Sequence, residues 1–306
     1  MRVAVTGASG FVGGVVVHAL RDRGHDVLPF GRRPPSALRS AMPAYQQWDI
    51  ECGARPVDVH AVVHCAASVR QWGSMEHFRR ANVQGTANVL SSIPAGARIV
   101  YVSTASVYTH PASHGPIHET AATGGQRTSQ YARSKLAGEG LALTSARGAV
   151  VLRPHIVYGP GDSTLWPRVV SARRRGSIRV PGTGRNRVSV THVHNFAHAV
   201  ACALDANVPS GIYNVADDDA PPVGELLHWM FLRHELPTRI RFVPRPMAWA
   251  GAAAMELYWA ATNRSGDPPL TRFAVAGLAD GCVLDTSRAR VALGYLPRWT
   301  FRDGPL

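Results

Sequence analysis

Close to the start of the chain, an apolar run Arg2-Val-Ala-Val-Thr6 leads directly into Gly7-Ala-Ser-Gly10-Phe-Val-Gly13. Val15 to Leu20 then carry helical apolar spacing as far as Gly24. A strand, a glycine turn and a helix in that order leave few folds open. Gly7 permits the tight turn, Gly10 lets the backbone approach a pyrophosphate, and Gly13 lets the helix pack closely on the strand. Ser9, Phe11 and Val12, set between the glycines, are counted with them as cofactor-binding. The helix start adds unpaired N–H groups and a partial positive charge that suit phosphates. The competing reading is a tight strand–helix turn with no ligand.

The segments that follow keep alternating. Asp26 to Phe30 reads as a second strand, with Pro29 awkward for an interior position because it removes a ladder donor. A fold of this kind reading NAD would place an acid for the ribose hydroxyls after that strand. Gly31-Arg32-Arg33 stands there instead. Two guanidinium groups suit a 2′-phosphate, so NADP(H) is the preferred cofactor and NAD(H) the second choice; a solvated turn is the alternative for both arginines. A short third strand, Gln46 to Trp48, ends at Asp49-Ile50, where a carboxylate can meet an adenine amine. A fourth, Val59 to His64, ends in Cys65-Ala66-Ala67, small enough for backbone to lie against a cofactor. A long helix over Met75 to Ser92, a strand over Arg98 to Ser103, a further helix and a strand over Ala149 to Arg153 complete the pattern. This order predicts an α/β fold, a Rossmann-type doubly wound parallel sheet. A smaller, discontinuous C-terminal substrate domain is expected beside it. The expected division is 1–165 with 188–217 for the cofactor domain, and 166–187 with 218–306 for the smaller one.

Tyr131-Ala-Arg-Ser-Lys135 lies on the later helix. Lys135 is the only lysine, so the other 32 of the 33 basic residues are arginine. Positions four apart share a helix face, which sets Lys135 one turn from Tyr131. A compact ammonium there would lower the phenol from about 10 towards working pH, as a tyrosine acid/base needs. A chance lysine on a helix surface is the plain alternative.

Taken in sequence, these segments resemble the extended short-chain dehydrogenase/reductase superfamily. The marks are TGASGFVG (6–13), HCAA (64–67), NVQGT (82–86), VSTASVYT (102–109), YARSK (131–135) and LRPHIVYGPGD (152–162). THVHNFAHAV (191–200), GIYNVADD (211–218) and DTSRARVALGYLP (285–297) follow. The resemblance implies that Tyr131 is the catalytic acid/base and that Lys135 tunes it and holds the nicotinamide ribose. It also implies that Thr104 hydrogen-bonds the reacting oxygen, that Asn82 helps order the site, and that Pro154, Ile156 and Val157 line the nicotinamide. Val69, Ala105, Ser106, His155 and Trp166 are the substrate-side candidates.

Departures narrow the choice within that superfamily. Its sugar-nucleotide dehydratases carry Asp-Glu after the threonine, where this chain has Ala105-Ser106. Its sugar-nucleotide epimerases carry an asparagine where Ile156 stands, and Arg-Asp where Val188-Ser189 stand, although Arg185 and Arg187 are neighbours that could partly compensate. The 3β-hydroxysteroid dehydrogenase-like branch is the better match, through GTGRNRVSVTHVHNFA (182–197), Pro244-Arg-Pro246, the apolar helix Met247 to Ala261 and Pro268 to Arg272. The expected activity is therefore interconversion of a secondary alcohol and a ketone on an apolar or carrier-linked substrate. Sugar-nucleotide epimerisation is the alternative enzyme class, and a non-catalytic NADP-sensing regulator the alternative outside enzymes.

Charge and cysteine content bound the partners. A net charge of +13 suggests anionic partners, but no helix-turn-helix, zinc-finger or aromatic-interleaved basic pattern points to nucleic acid. Arg168 to Arg187 holds seven arginines and no acid, either a solvated face or a landing surface for a carrier such as coenzyme A or acyl carrier protein. The four cysteines are scattered, which favours a reducing, cytoplasmic setting. No metal-binding spacing occurs, and no apolar stretch reaches the roughly 20 residues of a membrane span. Pairing of the two long helices into a homodimer is the expected oligomer.

Overall fold

In the computed structural model, which describes residues 1–38, 40–109, 115–125, 129–145, 149–205 and 207–304, strand β1 (Arg2–Thr6) buries Val3 and Val5 on one face and Ala4 on the other. The same period of two runs through β2 (Asp26–Gly31), β4 (Ala61–His64), β5 (Arg98–Val102) and β6 (Val150–Pro154), with the two-residue β3 (Gln46–Gln47) at one edge. Val63, Val100 and Leu152 join Val3 and Val5 under the helices α1 (Phe11–Arg21) and α6 (Val193–Ala203). Val62, Ile99, Tyr101 and Val151 face the opposite side, beneath α3 (Gly85–Leu90) and α4 (Gln130–Ser145). Both faces are covered, which is why these strands read as continuous apolar runs.

With β10 (Gly211–Val215) the sheet has seven strands, all parallel, in the order β10-β6-β5-β4-β1-β2-β3. The order reverses between β1 and β4, so a crevice opens beyond their C-terminal ends. Pro29 is tolerated because β3 pairs only with Phe30 and Gly31, leaving the edge of β2 open at the proline. The helix expected over 75–92 is three pieces: α2 (Met75–Phe78), a π-helical segment Arg79–Gln84, and α3. π segments of this kind insert a residue into the helical repeat and concentrate at functional sites.

The smaller lobe contains β7 (Val157–Tyr158), α5 (Leu165–Ala172), β8 (Ser177–Pro181), β9 (Thr191–His192), α7 (Val223–Arg233), β11 (Arg239–Val243), α8 (Arg245–Ala261) and α9 (Arg272–Ala279). Its core gathers Tyr158, Ile178, Val180, Leu226, Met230 and Phe231. Three stretches sit differently from the expected division, the first being β7, whose Tyr158 lies in the smaller core. Val188 and Val190 belong to this smaller core, and α10 (Ser287–Leu293) sends Ala289 and Leu293, with Tyr295 beyond it, into the core of the large sheet. Among the described residues, no helix is long and apolar enough to cross a membrane. In α8, Ala248 and Ala252 pack on Val275 of α9, and Glu256 is buried where it accepts from the Arg272 backbone N–H at 2.7 Å and from its Nε at 2.6 Å.

Candidate active site

The C-terminal ends of β1, β2, β4, β5 and β6 open onto a cleft of about 1870 Å³, whose opposite wall comes from α5, β8, α8 and α9. The glycine turn forms its floor. Gly7 has φ +71°, and a Cβ there would lie 2.7 Å from the Ala66 nitrogen; a Cβ on Gly13 would lie 2.3 Å from the Gly7 oxygen. A Cβ on Gly10 meets only the Gly7 oxygen, at 3.2 Å, so its remaining space is that of the cleft. The start of α1 has no side-chain cap and no acid in its first turn, which leaves N–H groups and a partial positive charge facing that space. This cradle fits a dinucleotide pyrophosphate.

Beside the cradle, Ser129 begins α4 by accepting from the Ala132 N–H at 3.1 Å. Tyr131, Lys135 and Glu139 follow at four-residue steps on one face. Tyr131 is partly exposed in the cleft, yet the protein packed around its hydroxyl pushes the phenol up to about 12. A hydrogen bond with Thr104 and the positive charge of Arg168 pull the other way. Lys135 is 2% exposed. Burial brings its ammonium down to about 8, with Glu139 and Cys65 opposing, and its Nζ lies 4.1 Å from the centre of the Tyr101 ring. Burial is the largest influence on the phenol and raises it, with Thr104 and Arg168 acting to lower it. At its burial depth the ammonium sits against Tyr101.

A buried polar frame holds these groups. Asn82, in the π segment, accepts from the Ser68 N–H at 2.7 Å and donates to the Ser68 carbonyl at 3.1 Å and to Ser134 Oγ at 2.9 Å. Ser134 Oγ in turn donates to the Tyr131 carbonyl at 2.7 Å. Glu139 receives Arg153 Nε at 3.0 Å and Nη2 at 2.6 Å, together with a short bond from Ser103 Oγ. This locks α4 to β5 and β6. Below the lysine, the two nitrogens of His64 bond the hydroxyls of Thr6 at 2.7 Å and Thr86 at 3.0 Å. Thr86 gives its own proton to the Asn82 carbonyl, so Nε2 donates and Nδ1 accepts. Burial, helped by the charge of Lys135, pushes His64 down to about 3. It is a neutral structural histidine.

The structure brings most of the expected residues into one place. Gly7, Ser9, Gly10, Phe11, Val12 and Gly13 line the cleft, as do Arg32, Arg33, Asp49 and Ile50. So do Cys65, Ala66, Ala67, Val69, Thr104, Ser106, Pro154, His155, Ile156 and Val157. Arg33 Nη1 donates to the Ser9 carbonyl at 3.2 Å, and Arg32 lies 3.8 Å from Glu51. Asp49 accepts from the Glu51 N–H at 3.0 Å. Three residues do not reach the cleft surface. Asn82 is sealed behind Ser68 and Ser134. Ala105 is fully buried among Tyr108, Ala216, Cys282 and Leu284. Trp166 turns away to stack on His234, ring centres 3.7 Å apart, because its helix packs that edge against the small-lobe core. Arg168, one turn of α5 away from the tryptophan's neighbours, enters the cleft instead. Sequence reading missed Glu139, whose signal was its place four residues after Lys135, and missed the role of Arg168 because it is one of many arginines. Among the described residues, no group of three or more His, Cys, Asp or Glu could hold a metal ion.

Residues 3–216 match the model of the NAD dependent epimerase/dehydratase family. Over 99% of its length the chain is 31% identical to a 2-alkyl-3-oxoalkanoate reductase of Stenotrophomonas maltophilia, covering 97% of that protein. It is 30% identical to a 3 beta-hydroxysteroid dehydrogenase/Delta 5→4-isomerase of Mycobacterium tuberculosis over 69% of this chain and 62% of that one. Among solved structures it is similar to MoeE5 in complex with UDP-glucose and NAD, with TM-score 0.74, 26% identity and coverage of 99% of this chain and 96% of that chain. The fold, the glycine cradle and these matches define an NAD(P)-dependent oxidoreductase of the extended short-chain dehydrogenase/reductase superfamily. Within that superfamily, the chain belongs to the NAD dependent epimerase/dehydratase family.

Proposed function

We propose that this protein reduces a ketone to a secondary alcohol with NADPH, on a substrate with an apolar body. The carrying observation is a protonated phenol, Tyr131, facing a cleft beside Thr104, with a buried ammonium one helical turn away. A nicotinamide dinucleotide held at the Gly7–Gly13 cradle would supply the hydride. Tyr131 and Thr104 hold the carbonyl oxygen, and Tyr131 passes its proton to that oxygen as negative charge develops there. Lys135 carries positive charge at neutral pH, which favours the phenolate left behind and offers donors to a ribose. Asn82 acts through Ser134 and the loop at Ser68, so it positions rather than touches.

The opposite wall supports an apolar substrate: Trp249, Leu270, Phe273 and Leu278 line it. The name of the Stenotrophomonas relative describes reduction of an alkyl-substituted oxo acid, in keeping with this wall. NADPH is favoured over NADH because β2 ends in Arg32 and Arg33 with no acid in the ribose position. Epimerisation of a sugar nucleotide has less support, since Val188 and Ser189 are buried and Ile156 presents no polar group to the cleft. Four free, dispersed cysteines fit a cytoplasmic setting.

The test is turnover of a panel of 3-oxo acids and apolar ketones with NADPH and NADH, followed by nicotinamide absorbance. Tyr131→Phe should lower kcat by about 10²-fold or more while leaving the NADPH dissociation constant nearly unchanged. A normal kcat in that variant would overturn the mechanism; redox-neutral turnover of a sugar nucleotide would favour the epimerase.

A further inference from the structure

The strand pair β8 and β11 runs parallel with Arg239 beside Ser177, Ile240 beside Ile178 and Arg241 beside Arg179. Ile178 and Ile240 turn towards the small-lobe core, so the alternate positions, Arg179, Arg239 and Arg241, share the other face. Arg241 and Arg179 are then direct cross-strand neighbours of like charge, an arrangement that destabilises a sheet unless an anion lies between them.

A separate pocket of about 450 Å³ opens on this strand pair, lined by Arg175, Ser177, Thr238, Arg239 and Arg241, with no acid in its wall. Among the described residues, none of its arginines is in an ion pair. Three other guanidinium groups of this lobe are committed. Arg245 pairs with Asp280, Arg272 with Glu256, and Arg173 donates to Thr238 Oγ1 at 3.0 Å and to the Pro237 carbonyl at 3.0 Å.

The turn beside the pocket is a second, independent observation. Arg174 and Ser177 exchange backbone hydrogen bonds of 2.8 and 3.0 Å around Arg175-Gly176. Both central residues have positive φ, +46° and +73°. Turns of this shape favour Asn-Gly, and an arginine in the left-handed region is strained.

We propose that this pocket binds the phosphates of a coenzyme A handle on the substrate. Its size suits a small organic ligand, guanidinium forks suit phosphate oxygens, and Arg179, cross-strand from Arg241, already lines the main cleft. A phosphate group held in the pocket would let a long acyl arm pass Arg179 towards Tyr131. The inference rests on the ketone-reductase reading for what the arm delivers, but not for the binding itself.

The experiment titrates coenzyme A into protein saturated with NADP⁺, so that the dinucleotide site is filled, and reads binding by calorimetry in low and high salt. Saturable binding that weakens with salt is expected. Arg239→Ser with Arg241→Ser should weaken it roughly tenfold or more, while Arg239→Lys with Arg241→Lys retains most of it. Reduction of a free ketone and the NADPH dissociation constant should stay unchanged in both pairs. Absence of binding, equal binding in the serine pair, or displacement by an equal concentration of inorganic phosphate would overturn the proposal. Should coenzyme A bind where no ketone is reduced, the reductase reading falls alone; should ketones be reduced with no such binding, the pocket assignment falls alone.

Discussion

At neutral pH, Tyr131 keeps its proton because its phenol lies near 12, and Lys135 keeps its charge because its ammonium lies near 8. A protonated phenol can donate to a carbonyl oxygen in reduction, and the same group as phenolate would accept the proton in alcohol oxidation. The lysine sets the alkaline limit. Its folded value lies below the ordinary 10.5, so between about 8 and 10.5 the folded protein sheds a proton that the unfolded chain retains. Folding stability gains over that window, while the site loses its cation. The expected outcome is a kcat/KM for ketone reduction that is level near pH 7 and falls about tenfold per unit above pH 8. A pH–rate profile that stays level to pH 10 would sink this account. Lys135 was legible in the sequence because the chain uses lysine nowhere else. Arg168 was not, because one arginine among many gains meaning only when α5 brings it into the cleft.

Helix α4 is the element on which the site depends. Its cleft-side ladder ends at Glu139, which is 2% exposed and pairs with an Arg153 side chain that is 3% exposed. Its approach to β5 is set by Gly138, where a Cβ would lie 2.2 Å from the Tyr101 hydroxyl and 2.9 Å from the Asn82 carbonyl. Glu139→Gln would leave a buried guanidinium with a neutral partner, a loss of about 3–5 kcal/mol that a thermal melt would read as a drop of about 5–8 °C. Glu139 also raises Lys135, so in this variant the alkaline fall in activity should begin at lower pH. An unchanged melt together with an unmoved profile would remove Glu139 from this role. The helical spacing of residues 75–92 was visible in the sequence, but the π segment within it was not. One inserted residue leaves the apolar pattern nearly intact while turning Asn82 inward, and only packing against Ser68 and Ser134 selects it.

Across the whole molecule, one carboxylate links the two walls of the cleft. Asp267, just before α9, accepts from the backbone N–H groups of Gln71 at 3.1 Å and Trp72 at 3.2 Å, and lies 3.5 Å from Arg168. Arg168 also donates to the Val69 carbonyl at 2.9 Å. The loop after β4, the connection between α8 and α9, and α5 are thereby tied together across the cleft. Asp267→Ala is expected to raise KM for the ketone about tenfold while the NADPH dissociation constant stays within about twofold, because the cradle at Gly7 to Gly13 is built entirely within the large sheet. Steady-state kinetics beside a cofactor titration checks it, and an equal loss in both would mean that the strap supports the whole cleft. By itself, the sequence determined the parallel sheet, the glycine turn and the placing of Tyr131 and Lys135 on one helix face, because each is written in local spacing: period-two burial, glycines at a turn, residues four apart on a helix. Thr104 was reached only through the resemblance to the superfamily. Only the tertiary structure decided that Arg168 enters the cleft, that Trp166 and Ala105 face away, and that Arg241 meets Arg179 across the strand pair. Those outcomes depend on register and packing between segments far apart in the chain, which no local pattern encodes.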